Sequence, residues 1–169
     1  MDRKEKIIKL IQESDKPISA SLLAKQLHVS RQIIVGDVAL IRASGTEIIA
    51  TPRGYIMDQK DPHLCKKIAV KHDESRIEEE LNLIVDLGGE VIDVIVEHPV
   101  YGEIKASLHT ASRYDVTQFM DKLNSSNAEP LSSLTNGVHL HTIAYKSEAM
   151  LKVIMNALKD KGFLYEEDQ

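Results

Sequence analysis

Three amphipathic segments crowded into the first 43 residues, two of them preceded by a serine able to cap a helix, restrict this chain most. From Asp2 to Glu13 the residues Ile7, Ile8, Leu10 and Ile11 share one helical face, and Ser14-Asp15-Lys16-Pro17 ends the helix. Ser19 opens a second helix carrying Leu22, Leu23, Ala24 and Leu27, and a turn at His28-Val29 follows. Ser30 then opens a third, Arg31 to about Ala43, with Ile34, Val38 and Ile41 as its core stripe. A tight turn between the second and third of three helices makes a helix-turn-helix, whose last helix reads base edges at its start. Ser30, Arg31, Gln32 and Val35 occupy that start, and Gly36 leaves room for close approach.

Glu47 to Ala50 and Gly54 to Met57 read as a strand pair around Thr51-Pro52-Arg53-Gly54, a wing with Arg53 near its tip. The plainer alternative is a three-helix module with a solvated basic face. The run Leu23-Ala24-Lys25-Gln26-Leu27-His28-Val29-Ser30-Arg31-Gln32 resembles the winged helix-turn-helix family of bacterial repressors. Charge agrees with a polyanion partner for this part alone. Met1 to Lys60 holds 10 Lys and Arg against 7 Asp and Glu, net +3, whereas Asp61 to Gln169 holds 11 against 19, net −8.

Asp58 to Pro62 is a polar joint, so residues 1–60 and 61–169 are expected as separate domains. Beyond it, Lys66 to His72 reads as a strand, and Ser75-Arg76-Ile77-Glu78 has capping-box form at the head of a helix through Leu87. Val91 to Glu97 and Glu103 to Leu108 alternate as a hairpin about His98-Pro99-Val100-Tyr101-Gly102. A helix from Asp115 to Leu123, a polar loop to Asn136, a strand from Gly137 to Ala144 and a helix from Ser147 to Lys161 follow. That last helix is expected to turn Met150, Val153, Ile154, Ala157 and Leu158 inward, and Phe163 to Tyr165 reads as a closing strand. This order implies an α+β fold: an N-terminal winged helix-turn-helix, then an α+β sandwich with a mostly antiparallel sheet. Cys65 cannot form an internal disulfide and is expected in buried packing. No signal-peptide pattern or bilayer-length apolar run is seen, and a cytoplasmic protein with no membrane partner is expected.

The second part also collects six of the seven histidines. His139 and His141 stand at i and i+2 in a β-favouring run, on one side of a strand, where both imidazoles can reach one ion. Such a pair is more often merely solvated or hydrogen-bonded. Glu80, however, falls between Ile77 and Ile84 on the apolar side of its helix, where an unpaired charge is costly. His72 ends the preceding strand. His72, Glu80, His139 and His141 make a three-histidine, one-carboxylate set with one or two positions left for water or ligand. His98, Tyr101 and Arg113 are candidates for the rim of an effector pocket, Arg113 as a fork for a carboxylate; His109 has no assigned role.

Glu97-His98-Pro99-Val100-Tyr101-Gly102 and Leu131-Ser132-Ser133-Leu134-Thr135-Asn136-Gly137-Val138-His139-Leu140-His141-Thr142, with His72 and Glu80 ahead, resemble the niacin-responsive transcriptional repressors of Gram-positive bacteria and Thermotogales. The resemblance implies a homodimer that binds operator DNA at NAD-precursor uptake and synthesis genes, with nicotinic acid as co-repressor. It also implies a metal at His72, Glu80, His139 and His141; one divalent transition ion per chain is expected, and imidazole ligands suit Zn²⁺ or Ni²⁺ best. Two other functions are compatible with an open His₃Glu site: a metal-sensing regulator, and a metal-dependent hydrolase. The absence of a Gly-rich phosphate loop or a nucleophile–base pair argues against the hydrolase.

Overall fold

Asp2 accepts the Glu5 N–H and Glu5 returns a bond to the Asp2 N–H, a capping box that starts α1 (Arg3–Gln12). The Ser19 and Ser30 hydroxyls accept from Leu22 and Ile33 and start α2 (Ala20–Leu27) and α3 (Arg31–Ala43). His28 takes the left-handed conformation (φ 57°) to close α2, which makes the tight turn. Ile7, Ile11, Leu23, Ile34, Val38 and Ile41 form the core of this unit, joined by Ile48 from the wing. Arg3 ties α1 to α3 through both oxygens of Asp37, at 2.5 and 3.2 Å. Arg3 thereby holds the Asp37 carboxyl below its ordinary range although its burial acts the other way.

The wing is β1 (Ile48–Thr51) paired antiparallel with β2 (Gly54–Met57). Ile18 exchanges backbone bonds with Tyr55 at 3.0 and 2.8 Å and so adds a third short extended segment. Gly36 faces open space, so its expected close approach is not made within the chain. This computed structural model describes residues 1–58 and 64–166; most of the polar joint and His63 lie outside them. Met1–Asp61 and Pro62–Gln169 separate as two units.

The second unit is built on a four-stranded antiparallel sheet in the order β3-β6-β4-β5. Its strands are β3 (Leu64–Lys71), β4 (Glu90–His98), β5 (Gly102–Thr110) and β6 (Val138–Tyr145). α4 (Ile77–Asp86), α5 (Arg113–Ser125) and α6 (Glu148–Asp160) supply the helical layer. Ile68, Val70, Val91 and Ile143 from the sheet meet Leu81, Ile84, Val116, Ile154 and Leu158 from the helices in one core. The expected α+β sandwich is therefore found.

Five local expectations need correction. Cys65 is exposed, because β3 is an edge strand whose first four residues lie outside the core. Ser75 does not cap α4: the Asp73 carboxylate accepts the Ser75 N–H and starts a short 3-10 turn, Glu74–Arg76, that leads into the helix. Val153 is 53% exposed, since it lies one helical step, about 100°, from the inward stripe Leu151, Ile154 and Leu158. The polar loop contains a second 3-10 turn, Leu131–Thr135. The closing strand is reduced to a single bridge, Val70 with Leu164. Among the described residues, no helix is long and apolar enough to cross a membrane.

Candidate metal centre and DNA-reading face

In the β3–β6 register Ile68 stands opposite His141 and Val70 opposite His139. Both histidines therefore share the side of the sheet that Ile68 and Val70 turn to the helices. Glu80 comes down from α4 on the face that buries Ile77 and Ile84, and is itself 1% exposed. His72, just past the end of β3, is held edge-on against Phe163 with ring centroids 5.4 Å apart. The expected four residues meet at one buried point.

His72 Nε2 bonds Glu80 Oε2, His139 Nε2 lies 3.5 Å from the same oxygen, and His141 Nε2 lies 2.9 Å from Oε1. The other ring nitrogen of each histidine faces a backbone carbonyl. His72 Nδ1 is 2.8 Å from the Asp73 oxygen, His139 Nδ1 is 2.9 Å from Gly137, and His141 Nδ1 is 2.6 Å from Asp93. A carbonyl only accepts, so each Nδ1 carries a proton, and a ring in its neutral form turns an Nε2 lone pair inward. The Nε2 atoms of His139 and His141 approach to 3.2 Å, and the buried Glu80 Oε1 faces His141 Nε2 alone among the three rings. Ligand atoms of His72, Glu80 and His139 all lie within 4.8 Å of one another, a group that could hold a metal ion.

Converging lone pairs around a buried carboxylate fit a divalent cation, with imidazole and carboxylate ligands suited to Zn²⁺ or Ni²⁺. Without a cation, protons supply the positive charge. Burial opposes ionisation of Glu80, but His141, with help from His139 and His72, holds its carboxyl well below the ordinary range. Burial likewise opposes protonation of His72 and His141, and the Glu80 carboxylate overcomes it, raising both.

Gly137 makes this geometry accessible. Its φ is 90°, and a Cβ there would collide with the His72 carbonyl, while its own carbonyl accepts from both His72 N and His139 Nδ1. Gly137→Ala is expected to destabilise the second unit by about 2–3 kcal/mol and to misplace two histidines of the cluster at once. Thermal denaturation together with metal titration checks both effects.

In the first unit, Ser30, Arg31 and Gln32 are exposed at the start of α3, the Ser30 hydroxyl being engaged as the cap. Val35 is half-buried and packs on the helical core, which corrects its assignment to the reading face: it follows the buried Ile34 by one helical step. Arg53 lies in the turn of the wing, its N–H donating to the Thr51 hydroxyl.

Comparison with known proteins matches residues 3–56 to an HTH domain and residues 65–167 to the 3H domain. The probable transcription repressor NiaR of Thermotoga maritima is 44% identical over 166 residues, covering 98% of this chain and 95% of that protein. The transcription repressor NadR of Bacillus subtilis is 42% identical over 170 residues, covering 98% and 94%. The chain belongs to the 3H-domain transcription repressors. It is thus a DNA-binding regulator rather than an enzyme.

The repressor does not assemble the expected effector rim as a single group. His98 and Tyr101 are neighbours at the β4–β5 hairpin, ring centroids 5.0 Å apart. His98 Nδ1 accepts from the Val100 and Tyr101 backbone N–H groups at 3.1 and 3.2 Å and so builds the turn. Tyr101 is 75% exposed. Arg113 follows the far end of β5, whose nine residues span roughly 26 Å. There it forks onto Asp86, at 2.8 and 2.5 Å, and each group holds the other's charge. Arg113 cannot share a small ligand with His98 and Tyr101. His109 adopts φ 49° near the end of β5 and lies 3.6 Å from Glu90.

Sequence reasoning did not find a cavity of about 710 Å³ beside the cluster, which His139 lines together with Val96, Val138, Leu140 and Thr135. It is built by the meeting of the β4–β5 hairpin with the turn before β6, a long-range juxtaposition with no local signal. The Asp93 carbonyl was missed too, although a lone carboxylate inside Val91-Ile92-Asp93-Val94-Ile95-Val96 was a visible anomaly.

Proposed function

We propose that the repressor binds operator DNA as a homodimer in the cytoplasm, with nicotinic acid as co-repressor, and silences genes of NAD-precursor uptake and synthesis. The observation that carries this reading is the buried cluster of His72, Glu80, His139 and His141, standing in the same chain as a DNA reader and shared in wall with a cavity. The relatives' names, NiaR and NadR, and the resemblance of the two long motifs support the niacin assignment. One Zn²⁺ or Ni²⁺ per chain would be held by the four side chains. When bound, such an ion supplies a Lewis-acid position for a carboxylate or a ring nitrogen.

Val138 and Leu140 line the neighbouring cavity from the face of β6 opposite His139 and His141, with Val96 and with Thr135, whose hydroxyl donates to the Val138 carbonyl. His98 and Tyr101 stand at the hairpin beside the cavity-lining Gly102, whereas Arg113 lies beyond the far end of β5, paired with Asp86. Calorimetry with nicotinate on metal-loaded and metal-stripped protein tests the reading. Heat is expected from the loaded form only; equal heat in both, or none in either, overturns a metal-anchored effector. If metal alone restores full operator binding, the protein is a metal sensor instead.

DNA is read by Arg31 and Gln32, with Arg53 on phosphate or in the minor groove. Arg31→Ala should relax specificity at one base position at a cost of about 1–3 kcal/mol, and Arg53→Ala should weaken all sequences alike and lower the salt slope by about 1. Salt-dependent binding isotherms on operator and random duplexes separate the two. The two-fold arrangement follows from the shortness of one half-site, and sedimentation at micromolar concentration with a footprint on a palindrome tests it.

A further inference from the structure

We propose that Asp93 is the positioning residue of the cluster: its carboxylate holds open a β-bulge through which its own carbonyl fixes the His141 ring. This inference rests on the reading of the cluster as a metal centre.

Strand β4 pairs with β6 at Val91–Ile143 and again at Ile95–Leu140, so β4 carries one more residue than β6 between the two points. An extra residue breaks the ladder and leaves a backbone group of the partner strand without its usual mate. The group here is the Thr142 N–H, and Asp93 Oδ1 accepts it at 2.7 Å in place of a ladder carbonyl. The Asp93 carbonyl, thereby released from the ladder, accepts from His141 Nδ1 at 2.6 Å. Side chain and backbone of one residue thus hold the His141 ring and the backbone of the residue that follows it.

Two further observations separate Asp93 from an ordinary strand residue. The carbonyls that orient His72 and His139 come from one and two residues away in the chain, whereas His141 depends on a residue 48 positions distant. Its ring is therefore only as well placed as the bulge. Asp93 is also 1% exposed, and its second oxygen lies 3.6 Å from Lys105 Nζ on β5. A carboxylate buried to this degree is costly unless its bonds are made, which fits a residue retained for geometry.

The test compares Asp93→Asn, which keeps an acceptor for Thr142, with Asp93→Leu, which has similar bulk and no acceptor. Co²⁺ titration reports affinity, and the visible spectrum of the bound ion reports its ligand geometry. The leucine variant should bind Co²⁺ about 10- to 100-fold more weakly and with an altered spectrum, and the asparagine variant should recover most of both. Ile154→Val, which loosens the core from α6 and changes no residue of the cluster, should lower melting temperature without moving either readout. Nitrogen-15 spectra of the loaded wild type add a measurement that needs no variant. His141 should carry its proton on Nδ1 in slow exchange with water, and a proton on Nε2 overturns the proposal. A wild type that takes up no ion overturns the metal reading and this inference together. Normal loading of the wild type with unchanged affinity and spectrum in Asp93→Leu overturns this inference alone.

Discussion

His141→Ala should abolish the metal uptake, one ion per chain, that the proposed centre predicts for the wild type. Loss of this ring removes one of the four side chains of the cluster and leaves Glu80, 1% exposed, short of positive charge. Glu80→Gln keeps the volume and should only reduce occupancy. Metal at about a thousandfold above its dissociation constant should raise the stability of the wild type by about 4 kcal/mol, an increment absent from His141→Ala. Elemental analysis and melting curves, on protein purified without chelator or affinity metal, give both numbers.

The same cluster sets opposite pH trends for the stripped and loaded forms. His72 and His141 have raised folded pKa values, so their pairing with Glu80 stabilises fully below the unfolded histidine value of about 6.5 and is lost as pH rises through the folded values. Glu80 has a depressed value, so its contribution is present above the ordinary glutamate range and is lost only as pH falls through the folded one. The stripped protein is therefore most stable at mildly acidic pH. In the loaded form protons must leave the rings, and metal affinity rises with pH. A stripped protein that gains stability from about pH 5.5 to pH 8 contradicts the pairing.

A second large effect is expected on DNA. The co-repressor role proposed for nicotinate requires it to bind the DNA-competent form more tightly, and a coupling of about 1–3 kcal/mol corresponds to a 5- to 150-fold gain in operator affinity. By linkage, operator DNA must tighten nicotinate binding by the same factor. Nicotinamide presents a neutral amide where nicotinate has a carboxylate, and should couple less if a cation holds that end. Titrating nicotinate into protein with and without operator duplex measures the reciprocal factor directly.

Helical periodicity and capping serines made the first unit legible residue by residue, because each of its devices is local: Ser19, Ser30 and the stripe Ile34, Val38 and Ile41 act within one or two turns. The cluster was legible for a different reason. A carboxylate on an apolar helix face and a His-x-His strand are each anomalies that a common cation resolves, and Glu80 with His139 and His141 meets that expectation in space. What sequence could not supply was anything depending on strand ends and registers. Arg113 follows the end of β5 away from the hairpin, the bulge at Asp93 arises from a mismatch between two strands, and the cavity exists only where the hairpin meets a turn some thirty residues later. Val35 and Val153 failed more simply, each by one helical step.

Operator affinity measured by fluorescence anisotropy in four states, with and without metal and with and without nicotinate, tests the central claim most directly. Tight binding is predicted only when metal and nicotinate are both present, with metal alone and nicotinate alone each near the stripped protein. Equal affinity in all four states, or full affinity with metal alone, would contradict it.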